Sequence, residues 1–206
     1  MSIWAIVPVK PFLRAKTRLT GVLHREDRAE LSRRLLAHTL EVLTQVSAIS
    51  HTLVISRDSS ALALARRLNA QTIAEPSGSN LNTALRRATK VAQAYACEAV
   101  LIIATDLPLL APEDVQALLK LRASTAGIVI APDRHIQGTN ALLCDPPGVI
   151  DYQFGADSFA GHLTQAKAAN VHVYVCRRPN LGLDLDTPED WALCRDQLRE
   201  RYQINT

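Results

Sequence analysis

Strand-like apolar runs alternate with segments of helical period along this chain, and that alternation restricts the fold more than any other feature. Ile3 to Val9 is a nearly continuous apolar run, the pattern of a strand buried on both faces of a parallel sheet, and Pro8 and Pro11 close it. From Ala29 onward, Leu31, Leu35, Leu36, Leu40 and Leu43 recur at three- and four-residue steps, which predicts an amphipathic helix. His51 to Ser56 and Gln71 to Ala74 read as strands on either side of a helix over Ser59 to Leu68. The turn-rich Pro76-Ser77-Gly78-Ser79-Asn80 feeds a helix carried by Leu81, Leu85, Ala88 and Ala92. Ala99 to Ala104 is the clearest buried strand, and Pro112-Glu113-Asp114 starts the next helix with proline and acids in its first turn. Gly127 to Ala131 and Asn140 to Cys144 are further strands joined by a polar loop. Phe154 to Ala169 is partly helical, Val171 to Cys176 is a strand, and Thr187-Pro188-Glu189-Asp190 opens a last helix through about Arg199.

This order implies right-handed βαβ units, hence an α/β fold with a mainly parallel sheet covered by helices on both faces. A chain of 206 residues that is 48% apolar can build one such core, and no repeat or linker divides it, so residues 1–206 read as a single domain. The longest apolar stretches fall far short of the roughly 20 residues of a membrane helix. The first strand begins almost at once, with no cationic leader before it, so a cytoplasmic protein without a membrane partner is expected. Cys97, Cys144, Cys176 and Cys194 lie far apart with no C-x-x-C spacing, which favours small core residues over zinc ligands or disulfides. The net charge of +3 is spread among interspersed acids and bases, and aromatic residues make up only 4%, so nucleic acid is not an expected partner.

The local arrangement of charge says more. Met1 to Arg25 holds no Asp or Glu, while Lys10, Arg14, Lys16, Arg18 and Arg25 all follow the first strand. Ligands of open α/β sheets bind beyond the carboxyl ends of the strands, so this loop is suited to a small polyanion such as a triphosphate, with a solvated basic loop as the plainer reading. No G-x-x-x-x-G-K-[ST] occurs, which excludes a P-loop. Asp106 follows a buried strand directly, where a carboxylate holds a metal or a sugar hydroxyl, or simply closes a turn. Asp184-Leu185-Asp186 would put two carboxylates on one side of an extended segment, which suits Mg²⁺ or Mn²⁺ carried on substrate phosphates, although Thr187-x-x-Asp190 also reads as a capping box that Asp186 would assist. Gly138-Thr139-Asn140 and Phe154-Gly155-Ala156-Asp157-Ser158-Phe159 could hold a carboxylate or phosphate through backbone amides and the Thr139 and Ser158 hydroxyls, or be a turn and a helix cap. His162 reads as a partly buried core histidine. No Ser-His-Asp order, G-x-S-x-G elbow or H-E-x-x-H motif supports a protein nucleophile.

Val7-Pro8-Val9-Lys10 with Ala15-Lys16-Thr17-Arg18-Leu19, Asp106-Leu107-Pro108, Gly138-Thr139-Asn140-Ala141-Leu142, the Phe154 to Phe159 segment and Asp184-Leu185-Asp186-Thr187-Pro188 together resemble the 2-phospho-L-lactate guanylyltransferase family, over about Ile3 to Trp191. The resemblance implies a nucleotide-diphospho-sugar transferase fold of the glycosyltransferase A type. It also implies GMP transfer from GTP to 2-phospho-L-lactate, phosphoenolpyruvate or a related small phosphorylated carboxylic acid, in the formation of coenzyme F420. By that resemblance Lys10, Lys16, Arg18 and Asp106 are catalytic, with the cations facing the triphosphate. Asp106, Asp184 and Asp186 carry Mg²⁺, Asn82 lies near the base, and Thr139, Asn140, Gly155 and Ser158 bind substrate. Arg134-His135-Ile136-Gln137-Gly138 departs from the family by its bulk.

The missing base-nucleophile pair fits this chemistry, because a phosphomonoester with a second pKa of about 6 is already ionised at neutral pH and attacks without a general base. A sugar-phosphate or molybdopterin nucleotidyltransferase, a D-x-D glycosyltransferase and a non-catalytic nucleotide-binding module remain as alternatives. A homodimer is the default among oligomers.

Overall fold

The computed structural model describes residues 2–76, 78–123 and 125–202, so Ser77 of the expected loop lies outside the described residues. Among the described residues the strands are β1 (Ile3–Val9), β2 (Ile49–Ser56), β3 (Gln71–Ala74), β4 (Ala99–Ile103), β5 (Gly127–Pro132), β6 (Thr139–Asp145) and β7 (His172–Val175). They form one sheet in the order β3-β2-β1-β4-β6-β5-β7. The helices are α1 (Arg25–Thr44), α2 (Ser59–Arg67), α3 (Leu81–Ala94), α4 (Pro112–Lys120), α5 (Ser158–Ala168), the single turn α6 (Pro179–Gly182) and α7 (Pro188–Tyr202).

Burial of β1 on both faces divides the core into two layers. Ile3, Ala5, Val7 and Val9 pack with Leu36, Leu40 and Leu43 of α1, Ala61 and Ala65 of α2, and Val115 and Leu118 of α4. Trp4 and Ile6 point the other way, toward Ala84, Leu85, Ala88 and Ala92 of α3 and Phe159 and Ala166 of α5. This is the period-2 alternation of a strand sandwiched between helices. The four cysteines are free and buried, as their spacing suggested. Among the described residues no helix is long and apolar enough to cross a membrane.

A third cluster positions the chemistry. Leu19, Leu23, Leu31 and Leu35 pack against Leu185, Trp191, Cys194 and Leu198. Each fully buried leucine contributes about 1.5–3 kcal/mol of apolar burial. The cluster therefore holds the start of α7, and the Asp184 to Asp186 segment before it, against the basic loop that follows β1.

Two features depart from the simple alternation. β6 runs antiparallel to both neighbours, β4 and β5, while the remaining pairings are parallel. Its reversal places its first residues beside the end of β4: Ile103 faces Ala141, and the Ala104 N–H donates to the Asn140 carbonyl at 2.9 Å. Thr139 and Asn140 thereby reach the edge of the sheet where Asp106 lies. The short helical turns Phe12–Arg14, Thr17–Leu19 and α6 also went unforeseen, being too brief to show a period.

Candidate active site

The basic loop is built around one left-handed residue. Lys16 adopts φ 55°, ψ 36°, a conformation that disfavours a side chain by roughly 1–2 kcal/mol. The buried Arg28 of α1 holds this turn, its Nη1 donating to the carbonyls of Ala15 and Lys16 at 3.3 Å each. Among the described residues no carboxylate pairs with Arg28. Replacing it by methionine removes both bonds and leaves two carbonyls unpaired. The expected loss is about 1–3 kcal/mol of stability in chemical denaturation, with lowered turnover as Lys16 loses its fixed direction.

That direction matters because the Lys16 ammonium sits between two carboxylates, 2.9 Å from Asp106 Oδ2 and 3.5 Å from Asp186 Oδ1. Arg18 Nη1 lies 3.2 Å from Asp186 Oδ2. The Leu185 N–H donates to the Asp106 carbonyl at 2.9 Å, which fastens the D-x-D segment to the end of β4. Asn140 completes the scaffold, its Nδ2 donating to the Leu181 carbonyl at 2.9 Å and to Asp184 Oδ1 at 3.3 Å. Lys16, Arg18, Asp106, Asp184, Asp186 and Asn140 thus converge from distant parts of the sequence. Lys10 adds only a weak effect of its charge on Asp106.

The electrostatics follow from this crowding. Burial pushes the Asp106 carboxyl up, but the Lys16 ammonium, by charge and hydrogen bond, with help from Lys10, holds it below the usual range. Among the described residues no ammonium or guanidinium pairs with Asp184. Burial first, then the charge of Asp106 and more weakly that of Asp186, push it up to about 6 against the Asn140 hydrogen bond. Carboxylate oxygens are hard donors of the kind that Mg²⁺ or Mn²⁺ takes. Among the described residues no three acidic, histidine or cysteine side chains are gathered closely enough to hold an ion unaided, so phosphate oxygens would have to complete its shell.

The capping-box reading is borne out beside this cluster. Asp190 Oδ2 accepts from the Thr187 N–H at 2.7 Å and from the Asp186 N–H at 3.1 Å. Only the backbone of Asp186 serves the cap, which leaves its carboxylate to Lys16 and Arg18. Arg134, on the bulky turn between β5 and β6, pairs with Asp190 at 2.8 Å.

A second bonded group adjoins the first through Thr139. Thr139 Oγ1 lies 3.0 Å from His162 Nδ1, and His162 Nε2 accepts from the Gln153 N–H at 3.1 Å. Asn82 holds the next residue at both ends: its Oδ1 accepts from the Phe154 N–H at 2.8 Å and its Nδ2 donates to the Phe154 carbonyl at 3.0 Å. The Asn82 amide is therefore engaged by backbone at both of its ends and ties α3 to the loop before α5. Gly155, at φ 137°, takes a conformation that a side chain rarely adopts, and Ser158 is buried at the start of α5, where Asp157 gives no side-chain cap. The Phe159 N–H is taken by the Gln137 carbonyl at 3.0 Å.

Sequence reasoning left His162 as a core histidine and missed Arg28 altogether. His162 is fully buried, and burial pushes its pKa down to about 4 from the ordinary 6.5. A depressed base contributes stability that is present above pH 6.5 and lost as the pH falls toward 4, because only the unfolded chain takes up the proton. Equilibrium denaturation is expected to show this loss, up to about 3 kcal/mol, in the wild type but not in His162→Phe.

A cavity of about 750 Å³ opens at the opposite end of the sheet among Val46, Gln116, Lys120 and Arg122, and contains none of these groups.

A mainly parallel sheet with cations and carboxylates gathered at the carboxyl ends of its strands defines a protein of the nucleotide-diphospho-sugar transferase fold class. A solved structure described as a putative nucleotide-diphospho-sugar transferase from Desulfovibrio desulfuricans G20 superposes with a TM-score of 0.76 at 21% identity, over 100% of this chain and 92% of that one. The chain belongs to the family described as guanylyl transferase CofC like, whose model matches residues 3–194. It is 41% identical to a phosphoenolpyruvate guanylyltransferase of Rubrobacter xylanophilus over 93% of each chain. It is 33% identical to a 2-phospho-L-lactate guanylyltransferase of Methanocaldococcus vulcanius, over 90% of this chain and 80% of that one.

Proposed function

We propose that this chain is a cytoplasmic, Mg²⁺-dependent enzyme that transfers GMP from GTP to the phosphate of phosphoenolpyruvate or 2-phospho-L-lactate, with release of pyrophosphate, on the way to coenzyme F420. The reading rests on the Lys16 ammonium fixed between Asp106 and Asp186, with Asp184 beside them short of positive charge.

Lys10, Lys16 and Arg18 present their cationic groups to the triphosphate of GTP. Asp106, Asp184 and Asp186 would hold Mg²⁺, which supplies charge neutralisation on the phosphates of the substrate. Thr139, Gly155 and Ser158 hold the phosphorylated acid, and Asn140 keeps Asp184 in place. An oxygen of the acceptor's phosphate, already ionised at neutral pH, attacks the α-phosphorus of GTP. One P–O bond forms, the bond to the β-phosphate bridge breaks, and its electron pair leaves with pyrophosphate while the cations stabilise the departing charge. No proton has to be removed from the nucleophile.

Pyrophosphate release tests the reading, with each of the four nucleoside triphosphates offered alongside phosphoenolpyruvate or 2-phospho-L-lactate, with and without Mg²⁺. Release is expected with GTP, metal and acceptor together. Equal release from all four nucleotides, or undiminished release without acceptor or in excess chelator, would overturn it.

A further inference from the structure

His162 has no part in the mechanism above, yet both of its ring nitrogens are committed, and their geometry fixes a proton. The Gln153 N–H is a donor with no alternative role, so His162 Nε2, 3.1 Å away, must be the acceptor and carries no hydrogen. The ring is fully buried and therefore neutral, so its one hydrogen resides on Nδ1, which faces Thr139 Oγ1 at 3.0 Å. The hydroxyl of Thr139 then accepts from the imidazole. With that lone pair occupied, its own hydrogen is directed away from His162.

We infer that His162 is a positioning residue that turns the Thr139 hydroxyl into an outward-facing donor for an anionic group of the acceptor. This deepens the proposed transfer reaction and rests on its placing of Thr139 against the phosphorylated acid. Three further contacts make the device rigid. The Phe154 ring meets the imidazole edge-on at 4.7 Å between centroids, Asn82 clamps the Phe154 backbone at both ends, and the Gln137 carbonyl holds the first turn of α5, the helix that carries His162. A hydroxyl fixed as a donor favours a carboxylate or phosphate oxygen over a neutral hydroxyl that could bond either way, so the device selects for charge in the acceptor.

Steady-state kinetics of the full-length protein with GTP and phosphoenolpyruvate test the inference, comparing wild type, His162→Phe, His162→Asn, Thr139→Val and the double variant His162→Phe with Thr139→Val. His162→Phe is expected to raise KM for phosphoenolpyruvate at least tenfold while KM for GTP stays within about twofold, as expected for loss of one charge-assisted hydrogen bond. Thr139→Val is expected to give the same split, and the double variant to be no worse than either single one, because both remove one device. His162→Asn, whose amide can still donate toward Thr139, is expected to recover part of the loss. Equal changes in both KM values, or additive losses in the double variant, would overturn the inference. Imidazole NMR of the ligand-free wild type tests it without turnover: a neutral ring protonated at Nδ1 is expected at neutral pH, and protonation at Nε2 would overturn it. A wild type with this tautomer but no transfer would instead count against the proposed reaction.

Discussion

Replacing Lys16 by methionine is expected to lower turnover by about 10²–10³-fold, the typical effect of deleting one preorganised electrostatic group from a site. The same substitution strips the counter-charge from Asp106 and Asp186, whose oxygens lie 2.9 and 3.5 Å from the ammonium. The Lys16 side chain is only 7% exposed, so water does little to replace it. Removing one partner of such a pair is expected to destabilise the ligand-free protein by about 2–4 kcal/mol. Lys16→Arg is not expected to restore activity, because a planar fork cannot take the place of a compact ammonium set between two carboxylates. Denaturation and pyrophosphate-release assays on the two variants check this. Turnover of Lys16→Met within threefold of wild type would remove Lys16 from the chemistry.

Asp184→Asn is expected to move activity and stability in opposite directions. The asparagine can still accept the bond from Asn140, so the local scaffold survives, but the repulsion from Asp106 and Asp186 disappears. The folded Asp184 carboxyl is raised from 3.8 to about 6. Its contribution to stability is therefore fully present below pH 3.8 and lost as the pH rises through 6. At neutral pH the wild type carries that penalty and the variant does not. After allowance for water reaching the carboxylate, the gain is about 1–2 kcal/mol, or roughly 3–6 °C in Tm for a domain of this size. Loss of a carboxylate proposed to hold Mg²⁺ is expected to reduce turnover by more than about 10²-fold in the same protein. Thermal unfolding without added metal, beside the activity assay, reads both. A variant that is less stable than wild type at neutral pH would show that Asp184 is not under electrostatic strain.

Much of this was legible in the chain itself, for physical reasons that differ from part to part. The first strand could be read to its ends, Ile3 to Val9, because burial on both faces leaves a nearly continuous apolar run, which takes in Pro8 and stops before the charged Lys10 and Pro11. The D-x-D segment could be read because residues two apart in an extended stretch face the same side, which brings two carboxylates together beside the cap formed by Thr187 and Asp190. The antiparallel insertion of β6 was not read, although it had a signal: only residues 133–138 separate Pro132 from Thr139, too few for the crossover of about a dozen residues that parallel strands need. Arg28 and His162 lie on helices where their spacing says only which way they point. Their roles depend on a carbonyl turn and a backbone N–H contributed from elsewhere in the chain, and no local pattern announces such partners. Lys16 was expected to face phosphate alone; its ion pairs with Asp106 and Asp186 arise from the packing of Leu19 and Leu23 against Leu185 and Trp191, across more than half the sequence.

Phosphorus NMR of GTP and phosphoenolpyruvate incubated with the wild type and Mg²⁺ tests most directly which phosphorus is attacked. Two coupled doublets from an unsymmetrical phosphoanhydride, appearing together with free pyrophosphate, are predicted. Accumulation of GDP and inorganic phosphate, with the phosphoenolpyruvate signal unchanged, would place the reaction at the γ-phosphate and contradict guanylyl transfer.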